Sequence, residues 1–152
     1  MMKSLRWFAL VLFTLLPALA SAQQQGLEID IIGGNASALP ITVVPMPYQG
    51  SAAAPPTDVA DVVRSDLERS GASRTLPEAS VTERPTRGGE IQYPTWRALR
   101  QDYIVVGRVA DAGDGSYRVE YELFDVAKQE RMLGLAMTAR ANAMRDVAHQ
   151  MA

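Results

Sequence analysis

The chain contains no cysteine and only one histidine, His149. Without cysteine there is no disulfide framework, no thiolate metal site and no acylated anchor. A lone imidazole, read as a surface residue on a helix, excludes metal centres built on histidine pairs and leaves no base for a hydrolase triad. A strong charge of either sign is also missing: 15 Lys and Arg against 17 Asp and Glu give a net charge of −2. No basic field is available to hold nucleic acid or anionic lipid. Gly33-Gly34 and Gly88-Gly89 lack the spacing and the lysine of a phosphate loop. Asp111 and Asp114 share a turn with glycines at 113 and 115, where a calcium loop would place oxygen ligands. Asn35-Ala36-Ser37 fits a glycosylation acceptor, a pattern common by chance. No repeat of blade or solenoid length is present. Nothing here calls for a metal or a cofactor, and no catalytic motif stands out.

What is present begins with an address. Lys3 and Arg6 precede an apolar run from Trp7 to Ala20 that contains Pro17 and leads into Ala20-Ser21-Ala22, the small-residue pattern of a signal-peptidase site. A membrane-crossing helix needs about 20 apolar residues, more than this run supplies. Residues 1–22 are therefore read as a cleavable signal peptide, and residues 23–152 as the mature domain. Cleavage would leave 130 residues with a net charge of −4, enough for one core and one sheet, as a soluble periplasmic product with no membrane insertion.

The remaining pattern predicts an α/β domain: a mixed sheet of about five to six strands covered by two to three helices. Leu27, Ile29 and Ile31 alternate with Glu28 and Asp30, the period of a strand with one wet face. Leu39 to Met46 is apolar on consecutive positions, which predicts a strand covered on both faces and limited by Pro45. Residues 45–57, rich in proline, read as a loop unable to sustain a helix or a ladder. A helix follows to Ser70, with Thr57 or Asp58 as cap and Gly71 just beyond it. Its apolar arc is Val59, Val62, Val63 and Leu67, with Arg64, Ser65 and Glu68 opposite. Residues 74–76 form a short strand that completes a β-α-β unit. Residues 78–93 read as an exposed excursion of low local stability, and Pro94 opens a short helix bearing Trp96 and Leu99. Three antiparallel strands come next, over 103–110, 117–123 and 131–139. Gly107 marks a bulge or a close backbone approach. Asn142 is the expected cap of a final helix carrying Val147, Ala148 and Met151, a stripe with no stop signal, as in a shortened chain.

Two features point outward. Asp66 projects into the apolar arc of its helix, near the end where the helix dipole disfavours an anion, so it needs a partner. That partner is either inside the fold or on a surface that docks there. The second feature is the leader strand, flanked by Gln23-Gln24-Gln25 and by Gly33-Gly34. It is either a paired edge strand or a detachable segment that offers main-chain hydrogen bonds to a foreign sheet. Glu28 and Asp30 share one face but lack the cleft that a paired-carboxylate hydrolase requires.

Four segments carry a family resemblance: LEIDIIGGNASALPITVVPMPY, DVVRSDLERSG, TWRALRQDYIVVGRV and DGSYRVEYELFD. Together they resemble the N-terminal domain of TolB, the periplasmic component of the Tol-Pal system, over nearly all of the mature chain. The resemblance implies a non-enzymatic interaction domain serving outer-membrane integrity, cell division and protein import, followed in the family by a β-propeller. It also implies that the N-terminal segment, here Gly26, Leu27, Glu28, Ile29, Asp30, Ile31 and Ile32, engages the periplasmic domain of TolA. Pal would be bound only through the propeller, which this chain stops short of, and Asp66 would be a contact between domains. The competing readings are a periplasmic scaffold domain of similar build with unrelated partners, and a small periplasmic hydrolase.

Overall fold

The computed structural model describes residues 38–152. The signal segment, the leader strand Gly26–Ile32, Gly33-Gly34 and Asn35-Ala36-Ser37 lie outside the described residues. The elements in chain order are β1 (Leu39–Val43), β2 (Tyr48–Gln49), α1 (Val59–Ser70), β3 (Ser73–Thr75), α2 (Tyr93–Ala98), β4 (Tyr103–Gly113), β5 (Ser116–Asp125), β6 (Glu130–Arg140) and α3 (Met144–Met151). Single 3-10 turns occupy Glu78–Ser80, Gly88–Glu90 and Ala141–Ala143.

The six strands form one mixed sheet in the order β3-β1-β4-β5-β6, with β2 beside β4. β1 runs parallel to both β3 and β4, so β1-α1-β3 is the expected crossover unit. β4, β5 and β6 form an antiparallel meander. The turn between β4 and β5 uses Gly113, Asp114 and Gly115, all with positive φ, a conformation glycine adopts at no steric cost.

The apolar run of β1 and β4 is buried on both faces because the sheet has a layer on each side. On one face Val59, Ala60 and Val63 of α1 and Met144, Val147 and Ala148 of α3 pack over Val43, Val105, Val109, Val119 and Tyr121. On the other, Val44, Ile104, Val106 and Phe124 meet Val81, Ile91 and the fully buried Trp96. Each such aliphatic side chain taken out of water contributes about 1.5–3 kcal/mol before the entropic cost of ordering it.

α1 starts and stops where the sequence marks it. The Asp58 carboxylate accepts from the Asp61 amide at 3.0 Å, and Gly71, at φ 70°, closes the helix by donating its amide to the Glu68 carbonyl at 3.1 Å. The face opposite the apolar arc is not wholly wet, however. Arg64 is buried, with Nη2 donating to the Val43 carbonyl at 3.2 Å and Nη1 paired to Asp61. An arginine stem covers apolar surface while its head satisfies a strand-end carbonyl, which a two-class helical projection does not register.

Three further expectations change. Residues 45–57 are not entirely loop, because Tyr48 and Gln49 form β2 against Val109 and Ala110. Pro47 has no donor, but its carbonyl accepts from the Val109 amide at 3.0 Å, and that suffices to start a short ladder. Residues 78–93 are not an exposed excursion. Val81, Pro85 and Ile91 are buried, the Gly88 amide donates to Glu122 at 3.0 Å, and Thr95 donates to Glu83 at 2.7 Å. The segment lies across one sheet face, so its apolar residues follow the shape of that face and neither helical nor strand period. Finally, Asn142 does not cap the last helix. It sits within the 3-10 turn Ala141–Ala143, and the capping position falls to Ala143, which makes no side-chain hydrogen bond.

Gly107 is resolved as a close approach. A Cβ there would lie 2.5 Å from the Glu120 carbonyl oxygen, while the register shift of β4 falls later, between Asp111 and Gly113.

Candidate functional site

The described surface offers three places where side-chain chemistry gathers. The first is the cleft between α1 and α3. Asp66 sits on the flank of α1 that faces α3, its side chain 16% exposed. One carboxylate oxygen bonds His149 Nδ1, and the other accepts from Arg69 Nη1 at 2.9 Å. The hydrogen bond from His149, assisted by Arg69, holds the Asp66 carboxyl below its ordinary range despite partial desolvation. The charge that the helical projection placed among apolar residues thus has partners within the fold. His149 is a surface residue, as its position in the sequence indicates, but its link to Asp66, 83 positions earlier, carries no local signal.

The second is the sheet face away from α1 and α3. Cross-strand register sets Arg108 opposite Glu120 and brings Arg131 to Glu122 at 2.9 Å, while Arg118 reaches Glu120 along the same strand at 2.9 Å. Arg108, Glu120, Glu122 and Arg131, with Phe124 and the Gly88 turn, border an open groove of about 700 Å³. Arg118 and Arg108 draw the Glu120 carboxyl below its usual value. The residue types were visible in the sequence; the groove required the 3-10 turn at Gly88–Glu90 to fold over the strands.

The third is the β2 end of the sheet. Asp111 accepts from the Tyr48 hydroxyl and from the amides of Ser51 and Ala52 at 3.0 and 3.3 Å, and Tyr117 donates to the Ala53 carbonyl at 2.8 Å. Asp111 therefore pins the proline-rich loop. Its partner Tyr48 is pushed up to about 12, chiefly by donating to that carboxylate.

Asp66, Glu90, Asp111, Glu120 and Asp125 are all drawn below the ordinary carboxyl range. A general acid at neutral pH needs the opposite shift. Among the described residues no three acidic or imidazole side chains converge as metal ligands, and no helix is long and apolar enough to cross a membrane. What these groups do is fix elements to one another. The surface also exposes Met132, Leu133 and Leu135 on β6, at 56%, 41% and 47%, beyond the reach of α3. Sequence reading did not single them out, because alternation alone does not show which stretch of a strand its helix covers.

Residues 27–132 match the family model of the TolB amino-terminal domain. The Tol-Pal system protein TolB of Xanthomonas campestris pv. campestris (strain B100) is 72% identical over 152 residues, which is 100% of this chain and 35% of that protein. The corresponding protein of Xanthomonas oryzae pv. oryzae (strain KACC10331 / KXO85) is 71% identical over the same span. The chain thus spans about a third of the length of these curated relatives. Among solved structures, TolB from Acinetobacter baumannii superposes with a TM-score of 0.61 at 26% identity, covering 75% of this chain and 26% of that one. The LpoB C-terminal domain from Salmonella enterica superposes with a TM-score of 0.55 at 8% identity over 68% of this chain and 84% of its own, a likeness of fold alone.

Proposed function

The chain belongs to the TolB amino-terminal domain family of the Tol-Pal system, and we propose that it is an exported, non-enzymatic interaction domain whose leader strand, Gly26–Ile32, engages the periplasmic domain of TolA. The observation that carries this reading is the leader itself. Leu27, Ile29 and Ile31 alternate in sequence with Glu28 and Asp30, a few residues after the stretch read as a signal peptide. The family match begins at residue 27, inside that segment. A strand of this kind contributes main-chain hydrogen bonds for affinity and alternate side chains for specificity. The described carboxyls that depart from their ordinary range are all drawn below it, which supports the non-enzymatic part of the reading.

The periplasm is the proposed compartment, on the signal pattern of residues 1–22 and on the Tol-Pal names of the relatives. Pal belongs to the proposal only through the larger portion of the relatives that this chain does not match. A shift between a docked and a free leader requires a partner that binds one state with higher affinity than the other.

The test is calorimetric titration of a peptide of residues 23–35 into the periplasmic domain of TolA. Binding is expected, and Ile29→Asp should weaken it by placing a charge in the apolar row. No heat of binding at millimolar peptide would defeat the proposal. A periplasmic scaffold with other partners would then be the better reading.

A further inference from the structure

We propose that the open edge of β6 receives a partner's extended strand in which apolar and acidic residues alternate. β3 and β6 end the main path of the sheet. β3 is three residues long and carries Arg74 at its centre, a short charged edge that offers little to a foreign strand. β6 runs for eleven residues, and Met132 to Ala139 hold neither a charge nor a proline. Among the described residues β5 alone pairs with it, so the main-chain groups along its other side meet no strand. The register skips Met132 but runs unbroken from Leu133 to Arg140, which leaves a regular edge to pair with.

The two faces beside that edge set the chemistry of what joins it. Cross-strand register puts Leu133 and Leu135 on the helix-bearing face with Leu123 and Tyr121, and both leucines are exposed there. An added strand sits about 4.8 Å away, so its side chains on that face must be apolar to cover them. On the opposite face β6 contributes Gly134 and Ala136, too small to screen the charges of β5 from a new neighbour. Arg108, Arg118, Arg131 and Arg140 gather on this face against Glu120 and Glu122. Arg108 and Arg118 share Glu120, Arg131 takes Glu122, and Arg140 stands exposed opposite Ser116. The surplus is positive, and it selects acidic side chains at alternate positions. Glu130 lies outside this set, registered with Asp125 at the start of the strand. A second copy of β6 matches less well, because antiparallel pairing brings Arg131 of one strand to the end of the other that carries Arg140.

No residue of Gly26–Ile32 takes part, so this surface and the leader are tested separately. The experiment is an amide NMR titration of the labelled whole chain with two acetylated, amidated heptapeptides, one alternating glutamate with valine and the other lysine with valine. The glutamate peptide should shift the amides of Leu133 to Arg140, slow their exchange, and bind about tenfold more tightly than the lysine peptide at low salt. Arg140→Glu alters an exposed side chain and should shrink that preference about threefold, whereas Leu135→Asn should weaken both peptides alike. Urea midpoints establish that both variants fold. Equal binding of the two peptides, no binding of either at about 1 mM, or shifts confined to other strands would overturn the proposal. So would a chain that sediments as a dimer with its β6 amides already protected, which gives the edge to a second copy.

Discussion

Replacing Gly107 with alanine tests the packing of the central strands more sharply than any truncation. The new Cβ would lie 2.5 Å from the Glu120 carbonyl oxygen and 3.2 Å from Tyr121 Cα, both main-chain atoms of β5. An ordinary carbon–oxygen contact is about 3.3 Å or longer, so the strands must separate by nearly 1 Å or twist locally. Neither movement is free, since Val106 and Arg108 on either side are registered with Glu122 and Glu120. Overpacking of this kind costs about 1–3 kcal/mol, against roughly 0.5–1 kcal/mol gained by restricting the unfolded chain. A net loss of about 1 kcal/mol is expected. With a urea slope of about 2 kcal/mol/M for a domain of this size, the midpoint should fall by about 0.5 M. Gly134→Ala is the control. On β6 the nearest atom to a new Cβ is the mobile Arg131 side chain at 3.5 Å, so the entropic gain should survive and raise stability by about 0.5 kcal/mol. If the Gly107→Ala midpoint is unchanged or raised, or if the two variants behave alike, the close-approach argument is wrong.

Two other outcomes follow from single contacts. Asp58→Ala removes the side chain that satisfies the Asp61 amide and should cost about 1 kcal/mol in urea unfolding, whereas Asp58→Asn should cost little. Tyr48 should ionise only near pH 12 as followed by phenolate absorbance, and Asp111→Asn should return it towards 10.0. Because its folded value is raised, its contribution to stability is complete below the ordinary tyrosine range and is lost as pH climbs through about 12.

Elements with a repeating chemical period were legible in the sequence, and those shaped by a neighbouring surface were not. β5 shows its alternation because one face, Val119 and Tyr121, meets the helices while Arg118, Glu120 and Glu122 stay towards water. α1 shows both ends because caps are local: an aspartate three residues from the amide it accepts, and a glycine at positive φ. Residues 78–93 failed that reading because burial there is imposed by tertiary contact, with Val81 and Ile91 packed on the sheet and Pro85 buried between them at irregular spacing. Arg64 failed for a related reason, since its burial depends on the Val43 carbonyl lying within reach. For the candidate site, the sequence showed that Asp66 needs a partner, and the fold shows that Arg69 on its own helix and His149 on α3 both supply one. The leader strand lies outside the described residues, so its reading still rests on alternation and family.

Among the described residues the polar contacts are spread over both sheet faces and tie elements of the fold to one another, so no chemistry gathers at a single point there. The two apolar layers consume the buried positions of β1 and β4, and the ion pairs on the outer sheet face are exposed enough that each contributes little to stability. Those pairs instead support the cross-strand register, because a slip of one residue in β5 would turn Val119 and Tyr121 outward and set Arg108 opposite an uncharged residue. A sheet with so firm a register can present an open edge without rearranging. β6 does so, with Leu133 and Leu135 uncovered where α3 ends its cover at Met137 and Ala139. Rigid strands and a pinned proline loop leave few places where sequence change is both tolerated and consequential. Substitutions in the layers act through the folded population, whereas substitutions in a strand outside them act through affinity. Binding measurements normalised to the folded fraction would therefore assign any loss of the proposed partner binding to one class or the other.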